Sequence, residues 1–163
     1  MLNSPYMKLL NELKILDWQV VLLGYDNGWL QRKDVVDFAL TRVENRNSMD
    51  IESCIAFSNN DSDSEFADLV SEIKSTNSLF DENNQSKTLS KWKYLRLYMI
   101  MENESLSEEE KYLLLNELYY EFGLPDEMLG FWKYRSTDNS AIDSAWSLMK
   151  SIENDLGIGK VSE

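Results

Sequence analysis

The sequence predicts an all-α fold of about seven helices stacked as antiparallel pairs. Three observations carry that expectation. Apolar residues recur at helical spacing through most of the chain. Only six Gly and two Pro interrupt 163 residues, too few turn-formers for a many-stranded sheet. The hydrophobic share is 43%, with five Trp, eight Tyr and six Phe, as in an ordered core rather than a disordered chain. A chain of this length fits one domain, 1–163, and can bury roughly 70% of its unfolded surface without staples. No repeat of fixed period is present, so self-similarity does not argue for a HEAT-like curl, which stays open as an arrangement of the pairs.

Ser4-Pro5 opens the first helix, an N-cap followed by proline at the first helical position, and Leu9, Leu10, Leu13 and Leu16 continue it. Asp17 caps a second segment with Trp18, Val21 and Leu22 on one face, before Gly24 and Gly28. A short buried strand over 19–23 is the alternative there, because the run is β-branched. Val35, Val36, Phe38, Ala39 and Val43 mark a third helix, and Met49 to Phe57 a short, mostly buried fourth. Asp61 to about Ser75 is two-faced. Phe66, Leu69, Val70 and Ile73 form one side; Asp61, Glu65, Asp68 and Glu72 form the other, at spacings of 4, 3 and 4.

The polar run 77–90 reads as a mobile loop. Lys91 to Met101 follows as a helix with Trp92, Leu95, Tyr98 and Met99 inward. The most strongly patterned stretch is 112–134. Ser107 and Glu110 form a capping box ahead of it, Leu115, Leu118, Tyr119 and Phe122 share one face, and Gly123 with Pro125 is a stop. Leu113, Leu114 and Tyr120 add apolar groups on other faces, which predicts neighbours on more than one side. A short helix with Met128, Leu129, Phe131 and Trp132 comes next. Ser140 then caps a last helix through Ala141, Ala145, Trp146, Leu148, Met149 and Ile152 to Gly157. All five Trp fall at core-like positions, Trp29 in its turn beside Gly28 least firmly.

Charge and composition exclude several chemistries. The net charge of −13 repels phosphate backbones and anionic membranes and steers cationic partners, so neither direct nucleic-acid nor membrane binding is expected. The absence of His removes imidazole acid–base catalysis, Ser-His and Cys-His nucleophiles, and the usual zinc and haem ligand sets. Cys54, the one cysteine, lies in the apolar run Cys54-Ile55-Ala56-Phe57 and reads as a buried inert thiol. A lone cysteine suits a reducing compartment. Lys8, Glu12, Lys14 and Asp17 break up any leader-like apolar stretch, and no apolar run approaches a membrane span. The expectation is a cytoplasmic protein without cofactor.

Residues Asp61, Asp63, Glu65 and Glu72 imitate a calcium loop, but Phe66 stands where that loop needs Gly, and a helical pattern starts there. Ser71/Lys74, Ser90/Lys93 and Ser147/Lys150 match S-x-x-K, a pattern a chain rich in Ser and Lys shows by chance. No residue reads as catalytic, and none as a metal ligand. The surface feature with physical content is acidic. Between Arg46 and Lys74 there is no basic residue, while Asp50, Glu52, Asp61, Asp63, Glu65, Asp68 and Glu72 carry about −7. Like charges one turn apart cost a few tenths of a kcal/mol per pair, less near a helix N-terminus. Asp61, Asp63, Glu65, Asp68 and Glu72 are therefore the candidate contacts for a basic protein partner; a merely solvated helix face is the alternative. Glu102, Glu104, Glu108, Glu109 and Glu110 form a second acidic cluster. Lys87, Lys91, Lys93 and Arg96 form a basic patch expected to pair with one of the two.

Three stretches together resemble a bacterial family known as domain of unknown function 2247. They are Trp18 to Ala39, with Gly24-Tyr25, Gly28-Trp29-Leu30 and Asp34-Val35-Val36-Asp37-Phe38-Ala39; Lys91-Trp92-Lys93-Tyr94-Leu95; and Tyr119 to Tyr134. The matching residues look structural: glycines at turns, a Gly-x-Pro stop and Trp anchors. The resemblance implies a helical domain often encoded beside polymorphic or contact-dependent toxins, where members are inferred to be immunity proteins. It implies no catalytic residues. The expectation that follows is an immunity protein that neutralises a cognate toxin by stoichiometric occlusion, an acidic surface covering a cationic site such as a nuclease would have. An acidic helical scaffold or regulatory module without a toxin is the alternative, and a histidine-free hydrolase a third.

Overall fold

The computed structural model describes residues 2–45, 48–76, 82–131 and 140–158. Among them are eight α-helices, one 3-10 helix and no strand. The chain is all-helical, as its periodicity predicts. Its Cα packing separates two compact units, Met1–Leu89 and Ser90–Glu163.

The first unit contains α1 (Pro5–Glu12), α2 (Trp18–Asp26), α3 (Arg32–Glu44), α4 (Asp50–Ala56) and α5 (Asp63–Ser75). From α2 onward each of these helices packs on the next. Leu10, Val20, Val21, Leu22, Val35, Ala39, Ile55 and Ile73 are fully buried and make the core. Asp17 settles the helix-or-strand question at 19–23: its Oδ1 accepts the Val20 N–H at 2.9 Å, which satisfies a donor only a helix start leaves open. Ser4 and Pro5 start α1 as the sequence predicts.

In α4 the inward residues are Ile51, Glu52, Ile55 and Ala56, two i,i+4 pairs side by side. Cys54 falls off that stripe and is exposed, not buried, and Phe57 beyond the helix end is 72% exposed. The expected loop at 77–90 also needs correction. Helix α6 (Glu82–Met101) already includes the residues from Glu82, while 77–81 lie outside the described residues. The run is polar but holds neither Gly nor Pro, so nothing in it breaks a helix. Thr88, 3% exposed, sits with Oγ1 2.8 Å from the Asn84 carbonyl oxygen and 3.2 Å from Gln19 Oε1.

The second unit contains the rest of α6, α7 (Glu108–Glu121), the 3-10 helix (Asp126–Phe131) and α8 (Ser140–Leu156). The 3-10 helix packs on both α7 and α8, and α7 packs on α8. Ser107 and Glu110 form the capping box in both directions, at 3.1 and 3.2 Å. The C-terminus of α7 closes as a Schellman turn: Gly123 at φ 79° lets the Leu124 N–H reach the Tyr119 carbonyl at 2.9 Å. Leu115, Leu118 and Tyr119 are buried and Leu114 is half-buried, whereas Leu113 and Tyr120, expected to face neighbours as well, are exposed. Trp146 corrects the expectation of five core Trp. Ala141, Ala145, Met149 and Ile152 take the inward stripe of α8 and leave Trp146 43% exposed on its flank. Trp18 and Trp92 are buried, Trp29 is half-buried, and Trp132 lies outside the described residues.

Gly130 shows how closely the 3-10 helix approaches α8. A Cβ at that position would meet Ser144 Oγ at 2.3 Å and Ser144 Cβ at 2.9 Å. The hydroxyl can rotate away; the Cβ is fixed to the helix and cannot. Gly130→Ala is expected to destabilise the protein by about 1–3 kcal/mol, read from the shift in urea midpoint.

Candidate functional site

Helix α5 carries the acidic stripe, and its local sequence explains its orientation. Ser62 caps it by accepting the Glu65 N–H at 3.1 Å. Phe66, Val70 and Ile73 turn inward. Glu65, Asp68 and Glu72 are left exposed on the far side, and none of the three pairs with a described cation. Asp63 is also exposed, but Arg32 Nη1 pairs with it at 3.1 Å. Asp61 precedes the helix and is half-buried. The five predicted residues thus divide: three form an open carboxylate face at i, i+3 and i+7, and two belong to the turn that starts the helix.

Two cations fix α5 at its ends. Arg32, at the start of α3, donates from Nη2 to the Ser58 carbonyl at 2.7 Å and the Asp61 carbonyl at 2.9 Å. Its guanidinium also lies 4.4 Å above the Phe66 ring. At the other end Lys74 Nζ pairs with Asp26 at 2.6 Å, tying α5 to the end of α2. A helix held at both ends presents its charges with little freedom to collapse. Arg32→Ala is expected to cost about 1–2 kcal/mol, from the two carbonyl bonds and the ring contact, since the bridge to exposed Asp63 contributes little. Amide hydrogen exchange checks the location: protection should fall first in the turn at Ser58 to Glu65.

Glu52 is not part of the acidic surface, although the sequence places it in the same charge run. It is fully buried. Its Oε2 accepts Trp18 Nε1 at 2.7 Å and Arg42 Nε at 2.8 Å, and its Oε1 accepts the Met49 N–H at 2.8 Å. Burial pushes its carboxyl up, but the Met49 N–H, the Arg42 guanidinium and the Trp18 indole together outweigh that and hold it below the ordinary Glu value. Removing Glu52 and the Arg32-paired Asp63 from the run of seven leaves Asp50, Asp61, Glu65, Asp68 and Glu72 as its outward charge.

In the second unit two residues of the basic patch, Lys93 and Arg96, pair internally, but with carboxylates outside both acidic clusters, contrary to the expectation. Lys93 pairs with Glu127, and Arg96 grips Glu121 with both Nη atoms at 2.7 and 2.8 Å. Tyr94 donates its hydroxyl to Glu153 at 2.6 Å; burial and that carboxylate push its ionisation above the ordinary tyrosine range. Two of the three S-x-x-K lysines, Lys74 and Lys93, are engaged as cations by carboxylates. Among the described residues no group of three His, Cys, Asp or Glu is arranged to hold a metal ion, and no helix is long and apolar enough to cross a membrane.

The chain matches the family described as an uncharacterized protein conserved in bacteria, DUF2247, over residues 7–156. It belongs to that family. The match takes in every described helix of both units, apart from the first two residues of α1. The clamped helix α5 and the Glu52 network therefore both lie within the family region. No curated protein matches the chain, and no solved structure does.

Proposed function

We propose that this protein is a cytoplasmic immunity protein that binds a cognate bacterial toxin one-to-one and neutralises it by covering a cationic site. The observation that carries the proposal is the clamped α5, with Glu65, Asp68 and Glu72 exposed and without a cationic partner among the described residues. Fixed like charges that the fold leaves uncompensated lower the cost of binding an opposite surface and raise the rate of encounter. Phe57, 72% exposed just before the turn into α5, offers the apolar anchor that such interfaces use. Consecutive packing of α2 through α5 supports the finer architecture as well, helix pairs stacked in antiparallel fashion with a HEAT-like progression.

The test is co-expression with the product of the adjacent reading frame in a bacterial host. Immunity predicts that this product stops growth alone and that the present chain restores it. A product that is harmless, or whose toxicity is untouched, favours the scaffold reading instead.

A further inference from the structure

Five large apolar side chains are exposed among the described residues, and three of them, Leu113, Tyr120 and Leu124, belong to α7 and the turn that closes it. Each is between 49% and 60% exposed. Leu113 and Tyr120 stand two helical turns apart and so lie on one line of α7, while Leu115, Leu118 and Tyr119 hold the opposite side in the core. These outer groups are held in place. The Tyr120 ring stacks on that of buried Tyr119, with centroids 5.8 Å apart. Leu124 is fixed at φ 59°, a left-handed backbone that a leucine adopts only at a cost, and its N–H is bound to the Tyr119 carbonyl at 2.9 Å. Apolar groups placed before a partner arrives lose little freedom on binding, as an interface anchor requires.

The charge around them narrows the partner. Glu109 lies one turn before Leu113 and Glu117 one turn before Tyr120; both are exposed, and neither pairs with a described cation. The line therefore alternates carboxylate and apolar group: Glu109, Leu113, Glu117, Tyr120. Asp126, just past Leu124, is exposed as well. A second copy of the chain would bring the same carboxylates against these, and the net charge of −13 adds to that repulsion. An anionic membrane surface is repelled in the same way. A cationic protein satisfies both halves of the pattern. We infer that the outer face of α7 docks the cationic toxin proposed above, with apolar side chains of the toxin on Leu113, Tyr120 and Leu124 and its Lys or Arg residues against Glu109 and Glu117. The inference takes its partner from the immunity reading and its surface from α7 and its closing turn alone.

The test is surface-bound kinetics of the intact chain against the product of the adjacent reading frame. The triple variant Leu113→Gln, Tyr120→Gln and Leu124→Asn keeps good helix formers in α7 and places at 124 a residue that tolerates the left-handed backbone. Its urea midpoint should match that of the wild type, because all three side chains are exposed. Binding is expected to weaken about ten-fold or more, mainly through faster dissociation, and by the same factor at low and high salt, since apolar contacts are not screened. Reversing the α5 charges acts on the association rate instead, so the rate that moves tells the two faces apart. Undiminished binding by the folded triple variant would overturn the inference and leave the immunity reading standing; no binding by the wild type would overturn both. A wild-type dimer in sedimentation that the triple variant dissociates would make a second copy the occupant and overturn the inference as well.

Discussion

Glu52→Ala is expected to lower the stability of this protein by about 3–5 kcal/mol, the largest single-residue loss outside the apolar core. The carboxylate is fully buried and takes three donors, so its removal strands the indole N–H of Trp18, itself 6% exposed, without an acceptor. Arg42 is half-exposed and regains water, which moderates the loss. Glu52→Gln keeps the shape and one acceptor and should cost less. The pH dependence has a definite sign. The folded carboxyl lies below its ordinary value of 4.5, so its contribution is present above that value and drains away as the pH falls through the lower, folded one. Urea midpoints taken from about pH 7 to about pH 3 should show the wild type approaching Glu52→Gln at the acid end.

Reversing the α5 face is expected to have the largest effect on function. The triple variant Glu65→Lys, Asp68→Lys and Glu72→Lys should weaken binding of the proposed toxin by about 100-fold at low salt, most of it in the association rate. All three side chains are exposed and α5 is fixed by Arg32 and Lys74, so the variant should fold with near wild-type stability. The gap should narrow as salt screens both surfaces, because the Debye length drops to about 3 Å at 1 M. Surface-bound kinetic measurement of both proteins against the same toxin reads the rate and the salt slope together. An unchanged association rate would remove the face from the interface.

What could be read from the sequence was local. Caps at Asp17 and Ser107 and the stop at Gly123 declare themselves, because cap and partner lie within a few residues of each other. The acid spacing on α5 was legible for the same reason. The fixation of that helix was not, since Arg32 reaches Asp63 across 31 residues and Lys74 reaches Asp26 across 48. Glu52 reads as a surface charge in the sequence because charge runs are counted along the chain, whereas burial follows the helix period. Ile51, Ile55 and Ala56 surround it on one stripe, and a carboxylate on an apolar stripe is the signal that calls for a buried partner. Cys54 and Trp146 failed the same way, as apolar residues one position off a stripe. The start of α6 is hidden by its polar composition, although the run lacks the Gly and Pro that would break a helix.

Titration calorimetry of the purified chain against the product of the adjacent reading frame tests the proposed charge-steered, one-to-one complex. Saturation at one toxin per chain is expected, with an affinity that falls as salt is raised. No binding, or binding indifferent to salt, would contradict it.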